Sequence, residues 1–364
     1  MRRRDFLVGA AGTIGASWLM GSIGSLAWAE TDASCFRPWD DQTRMISWPK
    51  KNPPYNIALS NSYIGNEWRS EMVKIARLYS ERDAVKPLIK KLTISSAGND
   101  VNAQIAQINQ MILSGVDAIV LNAASPTGLN STIDRAVNAG ILVVSFDNVV
   151  TTPKAVTVNQ DQFEMGRRWA EFIVKQIGDS GNVLMVRGVA GTFVDNERYK
   201  GGRSVFDKHP QIRTTDVYGN WDNGTAQKVT ADALASSSGF DAVWSEGGES
   251  GIVRAFKQAG AKVPPIGGEG VNGFRQQAAQ DGFPILSIGQ SAALSAMSIK
   301  VALQMLQGEQ MPQAISVPFN EVASANLKEG VNYFSNVPDS FYAAISIPAC
   351  DLNFDAQAIL NQQI

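Results

Sequence analysis

From Tyr55 onward, short runs of β-branched and other apolar residues alternate with longer stretches whose apolar positions recur every three or four residues. The short runs predict strands at 56–61, 91–95, 118–122 and 142–146. After a break, further strands are predicted at 182–186, 214–218, 242–245, 265–267 and 285–288. Between them lie amphipathic helices, marked by Trp68, Met72, Ile75, Ala76 and Tyr79, by Val101, Ile105, Ile108 and Ile112, and by Trp169, Ile173, Val174 and Ile177. Each stripe is one face of a helix with a single side to bury. Strand–helix alternation builds parallel sheets from βαβ units, so the pattern predicts a doubly wound α/β protein.

The series restarts around Asn159 without a Pro- or Ser-rich linker, and a last helix over 291–306 ends before Gly308 and Pro312. Two similar lobes joined by short crossovers fit this better than two separate domains on a tether. Residues 30–53, with Trp39, Trp48 and three prolines, read as an irregular lead packed on the surface.

Composition narrows the function. The chain has 364 residues, enough for two ordinary domains, and a formal net charge of −2. Binding a polyanion needs a basic surface, which is missing here, so nucleic acid is excluded as a partner. Arg2, Arg3 and Arg4 precede a Gly- and Ala-rich run, Phe6 to Leu26, that ends in Ala27-Trp28-Ala29. Residues 1–29 therefore read as an export signal of the twin-arginine type, with Glu30 as the mature N-terminus. The alternative is an anchoring helix, and five glycines make the run weakly hydrophobic for a permanent span. The mature chain is expected in the periplasm and outside the membrane.

The two cysteines, Cys35 and Cys350, stand near the two ends of the mature chain. An oxidising compartment lets such a pair cross-link, and closing so long a loop is worth roughly 5 kcal/mol in the chain-entropy model. Two buried free thiols are the alternative. Lipidation of Cys35 is not expected, because Asp32-Ala33-Ser34 is a poor acylation box.

Catalytic and metal chemistry find few groups to work with. His209, the only histidine, precedes Pro210 in a polar turn and reads as an exposed turn residue, which excludes a histidine-based triad and most zinc sites. Neither catalytic residues, metal nor cofactor are expected. One motif argues otherwise: Gly268-Glu269-Gly270-Val271-Asn272-Gly273 matches G-x-G-x-x-G after a strand and before a helix, the setting of a dinucleotide fingerprint. An exported nicotinamide-dependent sugar oxidoreductase is thus the alternative function. Against it, the motif comes late in the chain, no acidic residue ends a strand about twenty positions on, and Glu269 would set a negative charge where a pyrophosphate should lie.

What remains is a set of polar and aromatic residues at the C-terminal ends of strands, where open α/β sheets bind ligands. These are Ser62, Asn66, Asp147, Asn148, Arg198, Trp221, Glu246, Glu269 and Gln290, with Trp68 beside Asn66. Carboxylates and amides suit the hydroxyls of a sugar, and the two tryptophans suit its C–H faces. Singly, each polar residue is as well explained as a helix cap or turn.

The runs Tyr55-Asn-Ile-Ala-Leu-Ser-Asn-Ser-Tyr63, Gly115-Val-Asp-Ala-Ile-Val-Leu-Asn122 and Gly140-Ile-Leu-Val-Val-Ser-Phe-Asp147, then Gly188-Val-Ala-Gly-Thr192, Glu197-Arg198, Gly201 and Ile288-Gly-Gln290, carry a family likeness. Over residues 55–325 the chain resembles periplasmic ribose- and galactose-type sugar-binding proteins of ABC importers. The resemblance implies a type 1 periplasmic-binding-protein fold, two lobes with three hinge crossovers near Asn159, Gln290 and Phe319. The first lobe is expected over 54–159 and 291–318, the second over 160–290 and 319–345, with a tail over 346–364. It implies a small sugar or polyol as ligand, an importer permease as partner, and a monomer. A sensory receptor using the same cleft is a further alternative. Ligand contacts would fall on Ser62, Asn66, Trp68, Arg69, Asp147, Asn148, Arg198, Trp221, Glu269 and Gln290, and Glu246 adjoins them. Several positions depart from the ribose pattern: Glu67-Trp68-Arg69 replace consecutive aromatics, Asn148 an arginine, Gly247-Gly248 a polar pair, and Glu269 an aspartate. The glycines leave room that Arg69 or Glu246 is expected to reach into, for a furanose, a pentose or a polyol.

Overall fold

The computed structural model describes residues 35–364, so the export signal expected over 1–29 lies outside the described residues. The lead opens with β1 (Met45–Ile46). The first half then runs β2 (Tyr55–Asn61), α1 (Glu67–Ser80), β3 (Ile89–Ser96), α2 (Val101–Leu113), β4 (Ala118–Leu121), α3 (Asn130–Asn138), β5 (Leu142–Phe146) and β6 (Val156–Asn159). The second half runs α4 (Gln162–Ile177), β7 (Ser180–Arg187), α5 (Phe193–Phe206), β8 (Gln211–Tyr218), α6 (Asn223–Ala235), β9 (Ala242–Ser245), α7 (Glu249–Gln258), β10 (Ile266–Gly268), α8 (Asn272–Asp281) and β11 (Ile285–Gly289). The chain closes with α9 (Leu294–Leu306), β12 (Met311–Pro312), β13 (Ala314–Ser316), β14 (Asn320–Ala323) and α10 (Ala356–Asn361).

Two six-stranded sheets result, ordered β13-β6-β5-β4-β2-β3 and β14-β11-β10-β9-β7-β8. Every pairing within them is parallel except that of β14, which lies antiparallel on β11. This is the expected pair of doubly wound lobes. Helices cover both faces, so the central strands Ala-Ile-Val-Leu of β4 and Leu-Val-Val-Ser-Phe of β5 are buried throughout and carry no alternation. Strands β6, β13 and β14, of three or four residues each, are not among the expected ones.

Each lobe has its own core. Ile108, Ile119, Leu121, Ile133 and Val143 fill the first. Met165, Trp169, Met185, Phe206 and Trp244 fill the second, where Trp169 and Trp244 meet edge to face at 5.7 Å. Helices α4 and α5 approach so closely that a Cβ on Gly201 would stand 2.0 Å from the Phe163 carbonyl oxygen, so no larger residue fits. Helix α9 is buried along its whole length and packs on α1, β4 and β5.

The chain passes between sheets after Asn159, after Gly289, and between Ser316 and Asn320. Gln160 ties these passages together: its Oε1 accepts from the Ser291 amide and its Nε2 donates to the Pro318 carbonyl, both at 2.9 Å. The lead packs through the β1–β12 ladder and a Pro38–Ile315 bridge. Cys35 is buried and forms a disulfide with Cys350, 315 residues away in sequence. The alternative of two free thiols is thereby set aside.

Candidate functional site

The C-terminal ends of β2, β5, β7, β8, β9 and β10 and the crossover after β11 converge on a narrow cavity of about 30 Å³. Asn66, Trp68, Arg69, Asp147 and Asn148 come from the first lobe, Val194, Arg198, Trp221, Glu246 and Glu269 from the second, Gln290 from the crossover, and Tyr342 from the C-terminal segment.

Two wall residues are held in a backbone conformation that side chains disfavour: Asp147 has φ 55° and Trp221 φ 56°. Left-handed geometry costs a non-glycine residue roughly 1–2 kcal/mol, and here it turns both side chains off the strand ends toward the cleft. The Asp147 carboxylate accepts from Asn122 and Asn148 side-chain amides at 2.8 Å and from Gln290 Nε2 at 3.0 Å, with Arg69 3.8 Å away. Arg69 is buried between the rings of Tyr63 and Trp68 and donates to Asn61, Ser62 and Asn122.

On the opposite wall Arg198 is 2% exposed and donates to Glu269 at 2.6 Å, to Gln162 Oε1 at 2.8 Å and to the Glu246 carbonyl at 3.2 Å. Glu246 accepts from the Gly188 amide, and burial, then the charge of Asp195, pushes its pKa well above the usual carboxylate range. Glu249, behind the wall, accepts from the Glu269 amide, and burial raises its pKa to about 7. The indole Nε1 of Trp221 is buried without a partner.

Gln290 uses all four of its polar groups across the hinge. Its amide donates to Glu269 Oε2, its carbonyl accepts from Trp68 Nε1, its Oε1 accepts from Gln162, and its Nε2 donates to Asp147.

The structure brings ten of the eleven expected ligand-contact residues to one cavity. Ser62 stands behind it, hydrogen-bonded to Arg69 and Asn122. Asn66 is both things the sequence allowed, since its Oδ1 caps α1 through the Arg69 amide while the residue lines the cavity. The room at Gly247 is occupied by Trp221 and Tyr342. Arg69 instead turns to Asn61 and Asn122. Val194 and Tyr342 are wall residues that sequence reasoning missed. His209 sits in the turn between α5 and β8, half-buried, with Nδ1 3.0 Å from Asp179 and far from this wall in the fold.

The glycine-rich run at 268–273 is filled by the chain itself. The Asn272 amide donates to the Phe341 carbonyl at 2.7 Å and the Gly273 amide to the Asp339 carbonyl at 2.9 Å, so the N-terminal donors of α8 that a pyrophosphate would need are taken.

The sequence profile of the periplasmic binding protein domain matches residues 57–310. The chain belongs to this family. Among solved periplasmic binding proteins, an ABC transporter solute-binding protein from Thermobispora bispora is 31% identical, with a TM-score of 0.69 over 73% of this chain and 84% of that one. The ribose import binding protein of Haemophilus influenzae is 24% identical over 244 residues, 64% of this chain and 81% of that protein. A solute-binding protein from Bacillus halodurans, solved with myo-inositol bound, shares the fold at 21% identity and a TM-score of 0.69, over 76% and 97% of the two chains. As a periplasmic binding protein the chain is a solute receptor and not an enzyme. Among the described residues no helix is long and apolar enough to cross a membrane, and no cluster of metal-ligating side chains occurs.

Proposed function

We propose that this periplasmic receptor captures a neutral sugar or polyol between its lobes and delivers it to an ABC importer. The observation that carries the reading is the cavity, walled from both lobes by amides, carboxyl groups and arginines, with indoles at Trp68 and Trp221. Amides and carboxyl groups pair with hydroxyls, each hydrogen bond to a charged group being worth about 1.5–3 kcal/mol, and indoles cover C–H faces. Ribose, which gives the Haemophilus influenzae relative its name, and the myo-inositol bound to the Bacillus halodurans protein are of this class.

The ligand would touch Asn66, Trp68, Arg69, Asp147 and Asn148 from one side and Arg198, Trp221, Glu246 and Glu269 from the other, with Gln290 at the hinge. An open form exposes both half-sites; the ligand bridges them, and the lobes rotate about the crossovers and expel water. The permease then reads the closed surface of a monomeric receptor. The oxidoreductase reading has no support, because the α8 amides that would bind a pyrophosphate are bonded to Phe341 and Asp339. The sensory reading shares the same cleft and gains no observation of its own.

A thermal-shift screen of the mature chain against pentoses, hexoses, polyols and nicotinamide nucleotides tests the proposal. A ligand at 100 times its dissociation constant adds about 2.7 kcal/mol of stability. A shift confined to sugars or polyols supports the reading, and a shift with nucleotides alone overturns it.

A further inference from the structure

The segment after β14 does not stay with the second lobe. It first lies on α8, where Arg275 donates to the Asn332 carbonyl and Asn272 to that of Phe334. It then pairs with residues 270–272 through the Val271–Tyr342 bridge and the bond from the Ala343 amide to the Gly270 carbonyl at 2.8 Å. At Tyr342 it meets the first lobe: the Tyr342 amide donates to Glu71 Oε1 at 2.9 Å, on the buried side of α1. Beyond Ala344, which stands against Gly270 and Gly289, it is bound to the first lobe and the lead, through Lys300 on the Cys350 carbonyl, Arg82 on the carbonyls of Asp351 and Asn353, and the Cys35–Cys350 disulfide. The segment is therefore a fourth passage between the lobes, fixed at both ends, and it crosses at the cavity.

What it brings there is one phenol. Tyr342 is 6% exposed, lines the cavity and also lines the mouth beside it, where Ile64, Asn223 and Ser340 stand. Its hydroxyl lies 3.5 Å from where a Cβ on Gly247 would be, next to Trp221. Gly247 has φ +152° and Gly248 φ +84°, so the end of β9 is in a conformation that excludes ordinary side chains.

Resting on the receptor reading above, we propose that Tyr342 is a ligand-contacting and specificity-determining residue. The C-terminal strap delivers it to the space beside Trp221 that Gly247, having no side chain, leaves free for it. Its hydroxyl meets a hydroxyl of the sugar or polyol, and its ring closes the mouth. Glu71 is a positioning residue, holding the strap to the first lobe through the Tyr342 amide.

The test uses the mature, oxidised chain and its Tyr342→Phe and Tyr342→Ala variants, titrated calorimetrically with D-ribose, D-galactose, xylitol and myo-inositol. Removing one neutral hydrogen bond corresponds to about a three- to tenfold loss. Tyr342→Phe is expected to weaken the preferred compound by that factor and to change the order of preference, with an unchanged melting temperature. Unchanged affinities and order in Tyr342→Phe would overturn the proposal. Should the unaltered chain bind none of the four, the receptor reading fails for this class; the strap is judged apart from it by hydrogen exchange without ligand. Slow exchange at the Tyr342 and Ala343 amides, accelerated at Tyr342 by Glu71→Gln, supports the crossing, and fast exchange at both in the oxidised chain overturns it.

Discussion

The side-chain amide of Gln290 donates to the carboxylate of Asp147 at 3.0 Å, joining the crossover after β11 to the end of β5 at the floor of the cavity. Through its other groups the same residue holds Glu269, Gln162 and Trp68. One hinge residue thus positions polar groups of both walls. Gln290→Leu should therefore loosen the site from its centre. Stranding the partners of a buried amide costs about 1–3 kcal/mol, so a melting temperature several degrees lower and at least a tenfold weaker ligand affinity are expected. Differential scanning calorimetry and titration check both; an affinity equal to that of the unaltered chain would remove Gln290 from the site.

Arg198 behaves differently from an exposed contact. Its place after β7 suggests a residue whose loss costs affinity and little stability, but its guanidinium is buried against Glu269. Removing one member of a buried ion pair leaves the other charge without compensation, at a cost of about 3–5 kcal/mol. Arg198→Ala should lose both ligand affinity and stability in urea denaturation. Adding Glu269→Gln to it should restore part of the stability and none of the affinity.

Acidity should stabilise this protein over part of the range. Burial raises the pKa of Glu249 from 4.5 to about 7, so between those values the folded chain binds a proton that the unfolded chain has released. The contribution is complete below about pH 4.5, is lost as pH rises through 7, and amounts to about 3 kcal/mol. Glu71 and Glu246 are displaced in the same direction, each chiefly by burial. Melting temperatures recorded from pH 5 to 8 should fall, and Glu249→Gln should flatten the slope. A rising slope in the unaltered chain would contradict the buried placement of these groups.

The Cys35–Cys350 bond closes nearly the whole chain and pins the C-terminal strap to the lead. Loss of a native disulfide costs about 2–5 kcal/mol. The double variant Cys35→Ser, Cys350→Ser should melt well below the oxidised protein, and reductant should lower the unaltered chain to about the same temperature. Equal melting of all three would show that the bond carries no stability.

Much of this was legible in the sequence, and the reasons for the rest are physical. Long helices such as α1 and α2 declare themselves by their apolar stripes, and buried central strands such as β4 and β5 by short, mostly apolar runs that include Ile and Val. The rule that parallel sheets bind at their C-terminal edges found Asp147, Glu246 and Glu269 before any coordinates. It also selected Ser62, which lies at such an edge but serves Arg69. Tyr342 was invisible to that rule, because it arrives on an irregular segment with neither period nor strand end. The available signal was indirect: Phe341 and Tyr342 stand eight or nine residues before Cys350, whose pairing with Cys35 forces that stretch back across the lobes. The glycine-rich run misled in the opposite way. Gly270 and Gly273 are small so that Gly289 and Asp339 can approach, a packing need with the same spacing as a phosphate cradle.

The central claim is that a neutral sugar or polyol binds in the cavity between the lobes. Its most direct test is calorimetric titration of the mature chain with the panel of sugars and polyols, alongside NAD, repeated on Asp147→Asn. The account predicts saturable binding of one molecule per chain for one or a few sugars or polyols, none for NAD, and at least a tenfold loss in the variant. Binding of NAD alone, or sugar binding untouched by Asp147→Asn, would contradict it.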